Sequence, residues 1–404
     1  MDDNVSLNVI PRIYSGESKY YPKQGNFCRS ELSVYLHFPF CMYKCAFCPI
    51  DTMKYNKDIV SKYLLSLIKE IEEHQKVLSC HEINCIHFGG GTPSLMEVRD
   101  IDLVMSTLQK YINIDEIEVV FEAHPNHTSG EVLDYLSNIN NCTINFGVQS
   151  FDNAILSSMN RFYNDRKILR MIESAKERVK SIGIDIICDW PYSNLHTIEN
   201  DIRNIKEILP DHISQYPLIE QKKYQYRKNQ KCSNSLLSYT DKIKLNETFE
   251  EMKLGLGYRR YSIFHYETEW NHSHKYGRSQ INGGEWIGFG AQAYTYMGNR
   301  VYKNPDVQRY IKNGTADENI LLNYTERFLW ELAYLIRGIP FSRSSILCKY
   351  GRVVIPYLDI AIDELIKNNF MDSKNHLTLT WEGVINLNKV EDIIMNIATI
   401  NNRS

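Results

Sequence analysis

The sequence contains no run of apolar residues approaching the roughly 18 needed to cross a bilayer, which excludes a hydrophobic spanning helix of ordinary length. It has little excess charge of either sign. Forty-six Lys and Arg stand against 49 Asp and Glu, for a net charge of −3, so no bulk attraction to nucleic acid or anionic lipid is expected. The opening residues, MDDNVSLNVIPRIY, lack the basic and apolar regions of a secretory signal, and a cytoplasmic location is expected. There is no low-complexity segment and no internal repeat beyond an alternation of strands and helices. What remains is an ordinary globular composition, 43% hydrophobic and 24% charged. Its 404 residues suffice for two to three domains, or for one large catalytic domain with an appendage.

Ten cysteines are present. In a reducing compartment they read as thiols or metal ligands rather than as a disulfide framework. Cys28, Cys80, Cys85, Cys142, Cys188, Cys232 and Cys348 are dispersed, as small buried hydrophobes are. Cys41, Cys45 and Cys48 fall within eight residues and need another explanation. Of 27 tyrosines, twelve lie from Tyr216 to Tyr310. They fit amphipathic core filling, or a pocket wall for a large, partly planar substrate.

From about residue 33 to 218 short β-branched or aromatic runs recur: Ser33–Phe40, Asn84–Phe88, Glu116–Phe121, Thr143–Val148, Ile184–Cys188 and His212–Leu218. Helical periodicity lies between them. In Ile59–Val77, for example, Tyr63, Leu64, Leu67, Ile68 and Ile71 form one stripe. Six strand–helix repeats predict an α/β fold with a parallel sheet, open or curled into a partial (β/α)6 barrel. Ligands of such sheets collect at the C-terminal strand ends. Beyond Leu218 the pattern predicts an exposed loop over Gln221–Ser235, a helix over Asp241–Leu256, a strand over Gly257–His265 and an irregular loop over Glu267–Gly284. From about Asn304 helices are expected at Glu326–Ile336 and Ile355–Asn368, then a strand-like piece at His376–Thr380 and a last helix.

Cys41-Met-Tyr-Lys-Cys45-Ala-Phe-Cys48 places three soft donors on a tight loop after the first strand. Structural zinc wants a fourth ligand, which His37 alone is near enough in sequence to offer. Three thiols instead leave one iron of a [4Fe–4S] cluster open to the amino and carboxylate groups of a small molecule. Phe88-Gly-Gly-Gly-Thr-Pro-Ser94 ends the second strand with unshielded backbone. It is not a phosphate-binding P-loop, because no Gly-Lys-Ser/Thr follows.

With an aromatic before its last Cys, the cysteine loop resembles that of the radical S-adenosylmethionine (radical SAM) superfamily. The glycine run is similar to the superfamily's motif for the methionine amino group. Tyr35-Leu-His-Phe-Pro-Phe-Cys41, Phe121-Glu-Ala, Gly147-Val-Gln-Ser-Phe-Asp152, Gly183-Ile-Asp-Ile-Ile, Asp211-His-Ile-Ser-Gln-Tyr216 and Gly288-Phe-Gly-Ala-Gln-Ala293 follow in order. Together they resemble the HemN-like branch: oxygen-independent coproporphyrinogen III oxidases, HemW haem chaperones, and class C radical methylases and cyclopropanases. The resemblance implies a partial (β/α)6 radical SAM barrel with additional strands and a small, mostly helical C-terminal domain. The implied divisions are an extension over 1–32, the core over 33–220, a sheet-completing segment over 221–303 and the helical domain over 304–404. It implies that Cys41, Cys45 and Cys48 hold the [4Fe–4S] cluster, with Tyr35 and Phe47 flanking it and the S-adenosylmethionine. Gly90, Gly91 and Thr92 would meet the amino group, and Glu122 an ammonium or ribose. Gln149 and Arg161 would meet polar and carboxylate groups, and Asp185 the ribose hydroxyls.

Departures from the branch shape the expected activity. Coproporphyrinogen oxidases carry a Cys two residues past the third ligand; here Ile50 stands there. The chaperones' His-Asn-x-x-Tyr-Trp stretch is replaced by Tyr276-Gly-Arg-Ser-Gln-Ile281, and His272 and His274 nearby read as solvated loop residues. Cys188-Asp-Trp-Pro191 replaces a commoner Tyr-Gly-Leu-Pro, so Asp189 and Trp190 are expected to line the barrel centre. His124 takes the place of a commoner Asn after Glu122-Ala. The expected activity is reductive cleavage of S-adenosylmethionine to a 5′-deoxyadenosyl radical. That radical would serve hydrogen abstraction, or one-carbon transfer using a second S-adenosylmethionine, on a planar or tetrapyrrole-like small molecule. A haem chaperone or a coproporphyrinogen dehydrogenase are the alternatives. The implied electron donor is a flavodoxin- or ferredoxin-type protein; neither nucleic acid nor membrane is an expected partner.

Overall fold

The computed structural model of the chain describes residues 31–218, 237–268, 274–315, 318–372 and 377–400. The expectations for residues 1–30, Gln221–Ser235, His272 and His376 lie outside these residues.

The strands are Glu31–Phe38 (β1), Glu82–Gly90 (β2), Glu118–Ala123 (β3), Cys142–Gln149 (β4), Ser181–Ile186 (β5) and His212–Gln215 (β6), each parallel to the next. Arg259–Arg260 (β7), His265–Glu267 (β8), Glu285–Phe289 (β9), Tyr294–Met297 (β10), Arg300–Lys303 (β11) and Glu318–Leu321 (β12) follow. β9 adds parallel to the outer side of β1, and β10, β11 and β12 continue antiparallel from it. β8 and β7 extend the other edge, giving one 12-stranded sheet in the order β12-β11-β10-β9-β1-β2-β3-β4-β5-β6-β8-β7.

Alternation along the parallel strands sorts their two faces. Val34 and Leu36, Ile86 and Phe88, Val119 and Phe121, Ile144 and Phe146, and Ile182 and Ile184 join the main apolar core. The intervening residues are largely polar, and the register sets them side by side: Tyr35 beside His87, Glu122 beside Asn145, Asp185 beside Ser214. The sheet curls around this second face. Tyr35 of β1 stacks on Tyr276 at 5.5 Å, and His212 of β6 stacks on His274 at 3.6 Å, so the first and sixth strands close on one short segment. This is the expected partial barrel.

Among the helices outside it, α1 (Lys57–Glu73) starts at Asn56, whose side chain accepts from the Ile59 amide, and buries Val60, Tyr63, Leu64, Leu67 and Ile71. The expected helix through Val77 breaks at His74, with Gln75–Cys80 a separate turn. Glu70 also faces inward. It accepts from Gly290 N at 2.8 Å, Asn304 Nδ2 at 2.7 Å and Tyr310 Oη at 2.5 Å, so a buried carboxylate ties α1 to the chain after β9. α2 (Val98–Gln109), α3 (Asp165–Lys176), α4 (Leu195–Ile208) and α5 (Tyr239–Gly255) complete this layer.

Three expectations are corrected here. Gly257–His265 is not one strand but the short β7, a bend and the start of β8. Glu267–Gly284 is not wholly irregular, because Lys275–Ile281 forms α6. Glu118, 1% exposed, accepts from the amides of His274 and Lys275 at 2.9 and 2.7 Å, so a β3 carboxylate fixes the helix's first turn. His274 is therefore buried and not a solvated loop residue. α7 (Tyr324–Leu335), α8 (Ile355–Lys367) and α9 (Leu387–Ile400) form the helical C-terminal region around a second apolar cluster. Phe328, Leu332, Leu358, Leu365, Val390 and Ile394 belong to this cluster, and Ile263 and Phe264 join it from the bend before β8.

Candidate active site

The cysteine loop leaves β1 and is pinned at both ends. Phe40–Cys41 pairs with Met53–Lys54, Met53 N donates to Pro39 O at 2.8 Å, and Tyr55 N to Cys41 O at 2.8 Å. Within it Cys48 N donates to Cys45 O at 3.2 Å, and Ala46 N reaches Met159 O at 3.0 Å. The three thiols are unbridged, half-buried and line one cavity. Thr92 Oγ1 donates to Cys41 Sγ at 3.3 Å, and Arg161 Nη1 to Cys45 Sγ at 3.6 Å. Burial pushes the Cys48 thiol up to about 11 and raises that of Cys41, so thiolates here call for a positive charge of the kind a metal supplies. His37 does not complete a zinc site. Its Nδ1 pairs with the Tyr35 hydroxyl at 3.1 Å, and among the described residues no three His, Cys, Asp or Glu side chains converge on one metal ion. Three thiols round an open cavity, two of them already accepting hydrogen bonds, fit a cluster of several irons.

Gly90, Gly91, Thr92, Glu122, Gln149, Arg161 and Asp185 line the same cavity, with Phe47. Gly90 sits at φ +108°, a conformation natural only to glycine, and its amide donates to Glu122 Oε2 at 3.3 Å. The Gly91 amide returns to Phe38 O at 2.8 Å. Gln149 follows a break in register between β4 and β5 and has φ +73°; the bulge carries its side chain to the cavity wall. Asp185 accepts from Asn145 Nδ2 at 2.9 Å, and burial holds its carboxyl up at about 6.

Arg161, 4% exposed, lies against the rings of Phe47 and Tyr163, and its guanidinium donates to the Tyr163 hydroxyl, the Gly147 carbonyl and Cys45. Tyr35 is not among the lining residues. It sits one layer below, stacked on Tyr276 and at 5.7 Å from the His87 ring. Asp189 and Trp190 are both 0% exposed and do not line the cavity, contrary to expectation. Asp189 accepts from Leu218 N at 2.7 Å, and Trp190 donates to Ser158 Oγ at 2.7 Å while packing beside Ala46 and Phe47. Trp190 thus supports the cysteine loop from behind. Among the described residues the tyrosines from Tyr216 to Tyr310 do not line this cavity either; Tyr258, Tyr266, Tyr296 and Tyr310 are core.

Other lining residues were not singled out from the sequence: Asn145, Tyr43 and His127. His124 and Ile50, marked there only as departures, also line the wall. His124 accepts from Asn126 N on Nδ1 at 3.1 Å, which leaves its Nε2 to face the Tyr43 hydroxyl at 3.4 Å.

Comparison with known proteins establishes the family. Residues 35–205 match the radical SAM superfamily. The haem chaperone HemW of Buchnera aphidicola (subspecies Schizaphis graminum) is 31% identical over 296 residues, which cover 71% of this chain and 75% of that protein. Anaerobilin synthase of Escherichia coli O157:H7 is 29% identical over 189 residues, 46% of this chain and 42% of that one. The structure of the E. coli coproporphyrinogen III oxidase HemN, a radical SAM enzyme, superposes with a TM-score of 0.75 at 19% identity, covering 91% of this chain and 90% of that one. The chain belongs to the radical SAM superfamily, in its HemN-like branch. Its cofactors are those of the superfamily, a [4Fe–4S] cluster and S-adenosylmethionine. Among the described residues no helix is long and apolar enough to cross a membrane.

Proposed function

We propose that the cavity at Cys41, Cys45 and Cys48 cleaves S-adenosylmethionine for a reaction on a planar, tetrapyrrole-like small molecule. The observation that carries this reading is the convergence, in one cavity, of three unbridged thiols with Gly90, Gly91, Glu122, Gln149 and Asp185. When bound, the cluster supplies an electron to the sulfonium and so releases a 5′-deoxyadenosyl radical. The chain's part is to bind, orient and exclude water. Thr92 and Arg161 direct donors at the sulfurs of Cys41 and Cys45, Glu122 meets the ammonium of the methionine moiety, and Asp185 accepts from the ribose. Phe47 gives the cavity an apolar flank beside Arg161. A flavodoxin- or ferredoxin-type protein is the electron donor in this reading.

The substrate class rests on the relatives named above, a haem chaperone, an anaerobilin synthase and a coproporphyrinogen III oxidase. Ile50, an apolar residue in the cavity wall where the oxidases carry Cys, favours one-carbon transfer or hydrogen abstraction over coproporphyrinogen decarboxylation. A haem chaperone is the second reading, favoured by the extent of the HemW match. The test is an anaerobic assay of reconstituted protein with dithionite and S-adenosylmethionine. Formation of 5′-deoxyadenosine together with S-adenosylhomocysteine is expected for one-carbon transfer, and 5′-deoxyadenosine alone for hydrogen abstraction. No turnover, with one haem bound per chain, would replace the enzymatic reading by the chaperone.

A further inference from the structure

We infer that His87 is a positioning residue for Glu122: it aims the carboxylate into the cofactor cavity by a hydrogen bond that leaves the negative charge available to a cationic ligand. This rests on the reading of Glu122 given above. His87 and Glu122 occupy neighbouring strands, β2 and β3, on the polar inner face of the curled sheet. His87 Nε2 stands 3.0 Å from Glu122 Oε1, while the other carboxylate oxygen accepts from Gly90 N at 3.3 Å. Both oxygens are thus held from the β2 side, and the carboxylate keeps one side toward the cavity, where Glu122 forms part of the lining. Space for this is made by Gly89, where a Cβ would lie 2.8 Å from Glu122 Oε1.

The other side of the imidazole is enclosed. His87 is 9% exposed and lies between the rings of Tyr35 at 5.7 Å and Tyr276 at 5.1 Å. Its Nδ1 is buried with no hydrogen-bond partner among the described residues. The ring therefore meets Glu122 through Nε2, its one nitrogen with a hydrogen-bond partner among the described residues. A neutral donor orients a carboxylate; an imidazolium would orient it and cancel its charge. Lys or Arg at this position would leave nothing for an incoming ammonium to meet, and a hydrophobic residue would leave the carboxylate free to turn. Histidine reaches the carboxylate from Nε2 and seats the rest of its ring between two aromatic side chains.

The experiment measures equilibrium binding of S-adenosylmethionine to the cluster-loaded, unreduced protein, so that no cleavage intervenes, alongside KM and kcat under turnover. His87→Gln keeps a neutral donor and is expected to bind within about threefold of wild type. His87→Leu loses the charge-assisted bond and should weaken binding roughly tenfold, in KM rather than kcat. His87→Lys should weaken it at least as much, although it retains a donor. Melting temperatures of the unloaded variants control for a purely packing role. Wild-type binding by both Leu and Lys, with Glu122→Gln impaired, would overturn the inference and leave the reading of Glu122 standing. Wild-type binding by Glu122→Gln as well would overturn both. Impairment of all three His87 variants in proportion to their lost stability would reduce His87 to a packing residue.

Discussion

The two ends of the curled sheet handle buried polar groups in opposite ways. At the lower end carboxylates are consumed by the fold. Glu118 caps the first turn of α6 and also accepts from Thr143 Oγ1 at 3.1 Å, and the His274 ring fills the interior against His212. At the upper end carboxylates keep a side open: Glu122 and Asp185 are each held by a side chain of the neighbouring strand and face the cavity shared with the cysteines. Burial raises Asp185, and hydrogen bonds from Asn145 and Ser214 offset only part of the rise. The same residue type is structural where its acceptors are exhausted and, in the proposed reading, a ligand contact where they are not. Side chains alone do not separate the two cases; their partners do.

This contrast is most sharply broken by removing groups at one end and reading the other. The largest effect is expected from Cys41→Ala, Cys45→Ala or Cys48→Ala. Each should abolish 5′-deoxyadenosine formation while leaving the melting temperature of the unloaded protein close to wild type, since neither Cys41 nor Cys45 carries a fold-bearing hydrogen bond through sulfur beyond Thr92 and Arg161. Next comes Glu118→Ala, which strands two amides at the start of α6. It should cost about 2–4 kcal/mol in denaturant unfolding, with S-adenosylmethionine affinity of the folded fraction unchanged. Loss of affinity without loss of stability would show the ends to be one functional unit.

The smallest effect is a pH dependence at Asp185. With the folded carboxyl near 6 and the unfolded one near 4, the folded group is protonated below about pH 6 and ionised above it. Stability of the unloaded protein from this group is therefore full below about pH 4 and lost as pH rises through about 6. Ribose recognition by the carboxylate runs the other way and strengthens over that rise. Affinity for S-adenosylmethionine should increase between pH 5 and 7 in wild type and be flatter in Asp185→Asn. The variant should also gain stability over wild type at pH 7 but not at pH 4. An unchanged pH profile in the variant would remove Asp185 from the binding role.

Much of the upper end was legible because its residues sit where periodicity stops. Cys41, Gly90, Glu122 and Asp185 fall at or just beyond strand ends, and spacing alone singles out the thiols. His87 and Asn145 lie inside strands and carry no motif. The signal that could have found them is the two-residue alternation itself. Ser33-Tyr35-His37, Cys85-His87-Gly89, Thr143-Asn145-Gly147 and Ser181-Gly183-Asp185 place polar or small residues at every second position of strands otherwise buried. The lower end was not legible. α6 is seven residues long, and its start is fixed by Glu118, more than 150 positions earlier in the chain. A helix whose first turn is fixed by a distant carboxylate leaves no local pattern there, which is why His274 read as solvated. Asp189 and Trp190 misled for a related reason: an indole and a carboxylate after a strand end suggest a ligand, yet here they meet Ser158 and the Leu218 amide.

The central claim is that Cys41, Cys45 and Cys48 together hold a cluster with one iron left open to S-adenosylmethionine. The most direct test combines iron content with the electron paramagnetic resonance spectrum of the dithionite-reduced protein, recorded with and without S-adenosylmethionine, for wild type and Cys45→Ala. Wild type should carry about four irons per chain, the count of a [4Fe–4S] cluster, and its spectrum should change when S-adenosylmethionine is added, while the variant shows neither. Four irons retained in Cys45→Ala, or a wild-type spectrum indifferent to S-adenosylmethionine, would contradict it.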